Sequence, residues 1–186
     1  MSVFEIALIA LTLITAVSIV WYTMLLGISP MPSTKDARTA MLKLSTLPDM
    51  AKGTGPIFEL GSGWGNLLIP LARQHPQRPI VGYELSFLPW LTTVILKKLL
   101  GLSNITLQRK NFLQADLTQA SVIICYLYPG AMEKIEVKLK KESGNLEYLI
   151  SNNFSLPSYK PAQVIYLTDL YKSPVYLYQF KESLKG

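Results

Sequence analysis

Beyond residue 50 the chain alternates short apolar runs with longer amphipathic segments. Each apolar run is four to eight residues long and is bounded by turn residues, which is typical of strands. The runs predict seven strands, at residues 57–60, 79–85, 105–110, 121–128, 146–150, 164–170 and 175–180. Helical segments are predicted between them, at residues 67–72, 89–100 and 130–141. This alternation predicts a Rossmann-like α/β fold with a doubly wound, mostly parallel seven-stranded sheet, closed by an antiparallel hairpin of the last two strands.

The first thirty residues carry a different pattern. Residues 6–28 contain no charged side chain and are mostly Leu, Ile, Val and Ala. As a helix this run would be about 35 Å long, enough to cross a hydrocarbon core of about 30 Å. A signal peptide would begin with basic residues, whereas Glu5 precedes this run and the bulky pair Trp21 and Tyr22 lies near its far end. A buried amphipathic helix is disfavoured because the run has no polar face. We therefore predict a retained transmembrane helix.

The charges that flank this run predict its orientation. No Lys or Arg precedes it, and four follow it closely: Lys35, Arg38, Lys43 and Lys52. Positive residues stay on the cytoplasmic side, so we expect a single-pass membrane protein with residues 29–186 on that side. The predicted parts are a membrane anchor at 1–28, a segment with a helix at 29–50, and a domain at 51–186 that contains the alternating strands and helices.

The strongest chemical signal follows the first predicted strand. Gly61, Gly63 and Gly65 alternate with other residues, and Glu59 precedes the first of them by two positions. Glycines allow a tight reversal from strand to helix and a close approach of backbone to ligand. A dinucleotide fingerprint would need a glycine at position 66, where this chain has Asn66, and a carboxylate at this mouth would repel a pyrophosphate. The pattern therefore favours a cationic ligand.

A second acid, Glu84, ends the second predicted strand, where a carboxylate can accept hydrogen bonds from ribose hydroxyls. The E-x-G-x-G-x-G turn and this acid together resemble the motifs of the class I S-adenosylmethionine-dependent methyltransferases. The resemblance implies that S-adenosyl-L-methionine is the cofactor. The residues it would assign to cofactor binding are Glu59, Gly61, Ser62, Gly63, Gly65, Glu84, Leu85, Asn111 and Phe112. The family usually has an aspartate at the position of Asn111, and an amide oxygen can accept the same hydrogen bond without the charge.

Residues 32–42 sharpen this resemblance. A Pro-Ser-Thr sequence is followed by Arg38 and by Met41-Leu42, directly after the apolar run and before the glycine turn. This arrangement resembles the small membrane-anchored protein-lysine methyltransferases that modify ATP synthase subunit c and the adenine nucleotide translocase. The resemblance implies a lysine of a membrane protein as the methyl acceptor. It also implies that three residues line the acceptor channel: Pro32, Ser33 and Thr34.

The resemblance also implies that the acceptor meets the methyl group just after the fourth predicted strand, at the sequence Tyr126-Leu127-Tyr128-Pro129. A lysine amine must lose its proton before it can react, and an apolar aromatic channel favours the neutral form. Tyr126 and Tyr128 are therefore the candidate catalytic residues, with Pro129 and Phe154 beside them in the channel. Aromatic faces could also contact a methylammonium product. The alternative is that these tyrosines are ordinary packing residues at a strand end.

Composition excludes several other classes of site. Because the chain has one cysteine and one histidine, neither an intrachain disulfide nor a metal site is expected. Its net charge is +6. Cys125 lies in an apolar run and is predicted to be a small buried hydrophobe, while His75 is predicted in a surface turn that ends a helix. The basic clusters lack interleaved aromatic residues, so we expect contact with an anionic lipid surface and no binding of nucleic acid.

Two further functions fit the same sequence. The enzyme could methylate a lipid or another small hydrophobic acceptor, because the predicted anchor places it at a bilayer. It could also be a non-catalytic cofactor-binding or scaffold module, a hypothesis encouraged by Asn111 and by the short chain.

Overall fold

The computed structural model describes residues 2–10, 12, 13, 17, 33–142 and 144–180. The chain divides between residues 32 and 33 into two compact units, and each is described by itself. In the first unit, residues 3–10 are helical. Among the described residues, no helix combines the length and the apolar character needed to cross a membrane. The predicted anchor at 6–28 lies largely outside the described residues, and the predicted domain boundaries stay predictions.

In the described part of the second unit, seven strands form one sheet in the order β3-β2-β1-β4-β5-β7-β6. The strands are β1 (Ile57–Leu60), β2 (Ile80–Tyr83), β3 (Ile105–Gln108), β4 (Val122–Cys125), β5 (Tyr148–Asn152), β6 (Gln163–Tyr166) and β7 (Pro174–Gln179). Strands β1 to β5 are parallel, and β7 pairs antiparallel with both of its neighbours. The predicted Rossmann-like, mostly parallel seven-stranded sheet is therefore confirmed.

Helices precede the first strand and occupy connections between the later ones. They are α1 (Lys35–Ser45), α2 (Pro48–Ala51), α3 (Leu68–Gln74), α4 (Phe87–Leu99) and α5 (Pro129–Lys141), with a short 3-10 turn at Phe112–Gln114. The fourth strand was predicted to reach Tyr128 but ends at Cys125, where its pairing with both neighbours also stops. Pro129 has no backbone N–H for a ladder and instead occupies the first turn of α5, which suits a proline.

Each face of the sheet has its own apolar core. We call the first the α1 face; it brings together Met41, Leu44, Leu68, Leu71, Ile57, Ile124, Ile150 and Val175, among others. The opposite face, the α5 face, brings together Met132, Ile135, Phe58, Leu60, Ile123 and Leu149, among others. Two covered faces explain why the central strands are almost continuously apolar.

Helix α1 points its first turn toward the edge of the sheet at which the parallel strands end, hereafter the carboxyl edge. Ser45, the last residue of α1, lies with its Oγ atom 3.0 Å from His75 Nε2. His75 follows the end of α3, which starts just after the glycine turn and runs back toward the opposite edge. The prediction of a surface turn at His75 is wrong in one respect, because the side chain is buried. Burial, and then the positive charge of Arg78, lower the pKa of His75.

Candidate cofactor and acceptor site

The glycine turn between β1 and α3 is built on positive backbone angles. Gly61, Gly63 and Gly65 have φ values of 78°, 52° and 77°, a region that costs an L-residue free energy but not glycine. The backbone N–H groups of Gly61 and Ser62 both donate to the carbonyl oxygen of Tyr83, at 2.9 Å each. The turn is therefore tied to the end of β2, and it lies at the carboxyl edge, where ligands bind in folds of this kind.

Gly65 is required by packing inside the protein. A Cβ atom at this position would lie 2.7 Å from Thr93 Cγ2 on α4. Thr93 is fully buried, and its hydroxyl donates to the carbonyl oxygens of Gly63 and Pro89. The glycine thus lets α4 pack against the turn, while its predicted contact with the cofactor stays a prediction.

Glu84, just beyond β2, holds the turn from the other side. Its Oε2 atom accepts from the backbone N–H of Gly63 at 2.8 Å, and its Oε1 atom accepts from that of Ser86 at 2.7 Å. Each carboxylate oxygen has a second lone pair, so the predicted hydrogen bonds to ribose hydroxyls remain chemically open. The acid is 9% exposed, and the two backbone bonds fix its orientation.

Glu59 is the most unusual group of the site. Its side chain is 5% exposed, and its Oε2 atom has no hydrogen-bond partner among the described residues. Burial, and then the negative charge of Glu84, raise the pKa of Glu59 well above the ordinary value. A buried oxygen beside a second acid is satisfied best by a cation that donates hydrogen bonds. The arrangement therefore matches the cationic ligand that the sequence predicts.

The remaining predicted cofactor residues lie around this pair of acids. Ser62 is buried, and within the described chain its Oγ atom also has no partner. Asn111 uses its Oδ1 atom to cap the 3-10 turn, accepting from the N–H of Leu113 at 3.0 Å. Phe112 is half-buried and packs on the α5-face core, and Leu85 is half-buried directly after Glu84. Their contacts with a cofactor stay predictions.

Two of the predicted channel residues come together at a cavity of about 270 Å³. Its lining consists of Pro129, Glu133, Asn153, Phe154, Ser155, Pro157 and Tyr176. Tyr128 directly precedes α5, and Tyr126 directly follows β4; both are half-buried. The structure thus brings Pro129 and Phe154 together and leaves the catalytic role of the two tyrosines as a prediction.

The other predicted channel residues lie at the start of α1. Thr34 is exposed and caps this helix, its Oγ1 atom accepting from the N–H of Ala37 at 3.2 Å. Ser33 is half-buried. Pro32 lies outside the described residues. Because the first turn of α1 lies toward the carboxyl edge, Ser33 and Thr34 are at the same end of the sheet as the glycine turn.

Three residues at this edge were not predicted from the sequence. Glu133 lies one helical turn beyond Pro129, a spacing that could have indicated it. Tyr176 reaches the cavity from β7, which pairs beside β5 only in the folded chain. Asn152, the last residue of β5, is buried, and its Oδ1 atom lacks a hydrogen-bond partner within the described ranges. Neither of the last two leaves a signal in the local sequence.

Other candidate chemistries find no support in the described structure. The groups of His, Cys, Asp and Glu in the described ranges include none that could hold a metal ion. Cys125 is buried as predicted, and burial raises the pKa of its thiol to about 12, so the thiol is neutral at physiological pH.

Comparison with known proteins places these features in a family. A family model described as the ANTKMT methyltransferase domain matches residues 59–163. A protein-lysine N-methyltransferase from Saccharolobus islandicus is 26% identical over 130 residues, which cover 68% of this chain and 80% of that protein. An adenine nucleotide translocase lysine N-methyltransferase from Mus musculus is 32% identical over 116 residues, which cover 60% of this chain and 48% of the mouse protein. The chain thus matches about half the length of the mouse relative.

Solved structures show the same fold. An RNA methyltransferase from Salinibacter ruber, in complex with S-adenosyl-L-homocysteine, superposes with a TM-score of 0.67 at 24% sequence identity. The superposition covers 80% of this chain and 93% of the Salinibacter chain. At this level of identity the likeness supports the architecture of the sheet and its helices.

Proposed function

Since this chain belongs to the ANTKMT methyltransferase domain family, we propose that it is an S-adenosylmethionine-dependent enzyme that methylates a lysine side chain of a membrane protein. The resemblance stated from the glycine turn and its two acids is thereby confirmed at the level of the family. The lysine acceptor is supported by the curated relatives, which are lysine methyltransferases.

The residues of the glycine turn fit this donor. Glu59 Oε2, which is buried and unpaired in the described chain, is available to accept from the donor's ammonium group. Ser62 Oγ, also unpaired there, can donate to its carboxylate, and Glu84 can accept from its ribose hydroxyls. When bound, S-adenosylmethionine supplies an electrophilic methyl carbon, so the protein's task is mainly to position the acceptor in line with it.

The cavity beside α5 fits the approach of a lysine. Phe154 and Tyr176 give it aromatic walls, and Glu133 gives it an exposed carboxylate that attracts a cationic side chain. Tyr126 and Tyr128, which come shortly before Pro129 in the chain, are half-buried, and partial exclusion of water there would favour the neutral amine that reacts. The proposal therefore assigns attraction of the lysine to Glu133 and its deprotonation to the surroundings of the two tyrosines.

The membrane is proposed both as the location of the enzyme and as the location of its substrate. The support is the uncharged run at 6–28, with basic residues only on its far side. A single-pass helix in this orientation would hold the catalytic domain at the cytoplasmic surface, and membrane lipid would be its second partner. Lysines close to that surface would then be the reachable acceptors.

One observation carries the proposal: at the glycine turn, beside Glu84, Glu59 has a buried oxygen without a partner in the part of the chain that the structure describes. The test uses the full chain, purified in detergent, with methyl-labelled S-adenosylmethionine and a membrane fraction from cells that encode the protein. Label is expected in membrane proteins and, after acid hydrolysis, in N-methylated lysine. Glu59→Gln, which keeps the shape and removes the charge, should lose most of the transfer. Asp49→Asn, at an exposed acid of α2, should retain it.

The same experiment separates the competing functions. Label that extracts with lipid would replace the protein acceptor with a lipid one. Binding of S-adenosylhomocysteine without transfer into any fraction would favour the non-catalytic module. Equal methyl transfer by the wild-type chain and by Glu59→Gln would contradict the role of Glu59 on which the proposal rests.

A further inference from the structure

The proposed function gives no role to a buried amide at the end of β5, one residue before Asn153 of the cavity lining. Asn152 is 4% exposed, and its Oδ1 atom lacks a hydrogen-bond partner among the residues that the structure describes. A buried oxygen without a partner destabilises the folded chain, because it has lost water and gained nothing in return. Such an atom therefore needs an explanation, and a ligand that donates a hydrogen bond provides one.

The register of the sheet places Asn152 level with the glycine turn. Leu60 of β1 pairs with Cys125 of β4, which in turn pairs with Ser151 of β5. Asn152 is one residue further along, as Gly61 is on β1. Two strand spacings of about 4.8 Å separate β1 from β5, so the two backbones lie about 10 Å apart along the carboxyl edge.

Asn152 and Glu59 also point to the same face of the sheet. Asn152 pairs with Val175, which belongs to the core of the α1 face. Glu59 pairs with Ile124, and Ile124 pairs with Ile150; both isoleucines belong to that core. Side chains in register on neighbouring strands share a face. Two buried oxygen atoms without a partner in the described chain thus lie on one face, at one edge, toward the first turn of α1.

We propose that Asn152 Oδ1 accepts a hydrogen bond from the ε-amine of the lysine that is to be methylated. This inference rests on the proposed function, and it gives the acceptor a binding atom where Glu59 serves the donor. Transfer between two bound molecules requires the acceptor to lie next to the donor. Here each molecule would have a binding residue on a different strand. The ligand class is a primary amine on a flexible alkyl chain.

An amide suits this task better than a carboxylate would. A neutral amine has two N–H groups and one lone pair, so a bond from one N–H to Oδ1 directs the lone pair. The lone pair forms the new N–C bond while the C–S bond breaks, and the electron pair of the broken bond stays on sulfur. The methylated nitrogen then carries the positive charge and loses a proton to water. A carboxylate would instead stabilise the ammonium form, which has no lone pair to react.

The test compares three variants of the full chain in the labelled-methyl assay with the same membrane fraction. Asn152→Leu removes the acceptor at similar volume and should lower the initial rate about a hundredfold, as loss of alignment does. Its affinity for S-adenosylhomocysteine should be unchanged, and its Tm should be no lower than that of the wild type, because the lost oxygen was unpaired. Asn152→Asp keeps an oxygen acceptor and should regain a large part of the rate at alkaline pH, where the amine is neutral. Among the described residues, the charged groups at this end of the face include Glu59 on β1, Glu84 just beyond β2, and Lys35 and Asp36 in the first turn of α1, and all four stay unchanged.

Asn104→Leu is the matched control. The Nδ2 atom of Asn104 donates to the carbonyl oxygens of Ala72, His75 and Arg78, at 3.0, 3.1 and 3.2 Å. These bonds lie near the start of β3, away from the carboxyl edge. This variant should lower Tm while it keeps the rate of methyl transfer. Both variants replace Asn with Leu, so a difference between them reports the position. Asn152→Leu should lower the rate and keep the Tm, whereas Asn104→Leu should lower the Tm and keep the rate.

Each result decides the inference. A normal rate in Asn152→Leu would overturn it, and so would a rate in Asn152→Asp equal to that of Asn152→Leu. Loss of S-adenosylhomocysteine binding in Asn152→Leu would assign the oxygen to the donor, which would overturn the inference and leave the proposed function standing. An unsubstituted chain that transfers no label would overturn both.

Discussion

Glu59 is a residue that destabilises the free protein and is expected to be stabilised by a bound ligand. Its carboxyl group is buried on a central strand, has an oxygen without a partner in the described chain, and shares the turn with Glu84. Both burial and the neighbouring acid disfavour its charged form. A cationic ligand would reverse both effects, so the residue is costly in the free chain and useful in the complex.

The pH dependence of stability should reveal this cost. Because the folded pKa of Glu59 is raised, its contribution to stability is present below the ordinary value of 4.5 and is lost as pH rises through the folded pKa. Glu59→Gln cannot lose it, so without ligand the variant should be at least as stable as the wild type at neutral pH. Its free energy of unfolding should also depend less on pH. Urea unfolding between pH 4 and pH 8 measures both; identical pH profiles would contradict the assignment.

At the scale of elements, the glycine turn joins three of them. It ends β1, begins the path into α3, and receives α4 through the contact of Gly65 with Thr93. The turn and α4 are thus one packed unit, and the two backbone N–H groups that Glu84 accepts from connect it to β2. A substitution that disturbs this packing is therefore expected to displace the predicted cofactor-binding residues on β1 and at the end of β2.

Gly65→Ala tests this coupling, with Gly101→Ala as the matched control. Both glycines have positive φ, but a Cβ atom at Gly101 would meet nothing within 4 Å, whereas at Gly65 it would lie 2.7 Å from Thr93 Cγ2. Gly101→Ala should cost about 1–2 kcal/mol of stability from backbone strain alone. Gly65→Ala should cost more and should also weaken binding of S-adenosylhomocysteine, as measured by calorimetry. Equal losses of stability in the two variants would show that the turn tolerates displacement of α4.

At the scale of the whole molecule, the residues that select the donor and the acceptor are expected at the carboxyl edge of the sheet. The five parallel strands bring both acids, the glycine turn, Asn152 and the start of α1 to that edge. Donor and acceptor are therefore expected to bind side by side at the ends of β1 and β5, which β4 separates. Binding of the donor should stabilise the whole second unit, because its contacts connect β1, β2 and α3.

Thermal unfolding of the full chain should distinguish the donor class. S-adenosylhomocysteine at about a hundred times its Kd should add about 2.7 kcal/mol of stability, which corresponds to a rise of about 5–10 °C in Tm for a chain of this size. NAD⁺ should give no comparable rise, since its pyrophosphate would face Glu59 and Glu84. A larger shift with NAD⁺ than with S-adenosylhomocysteine would contradict the assignment of the cofactor.

Local sequence patterns were sufficient to predict the succession of strands and helices along the chain, the glycine turn and the two acids that flank it. These features are local: apolar runs, glycines at fixed spacing and an acid at a strand end act through neighbours along the chain. Element ends were less certain, as β4 shows, because pairing with β1 and β5 decides where a strand stops.

Packing of the folded chain was needed to establish which side chains share a face and which lack a partner among the described residues. Asn152 and Glu59 are 93 positions apart in the numbering, and they become comparable only because β4 lies between their strands in register. His75 is buried because α1 packs beside the end of α3, and Tyr176 reaches the cavity because β7 pairs with β5. Burial and hydrogen-bond satisfaction are properties of the packed chain as a whole, so no local pattern could have determined them.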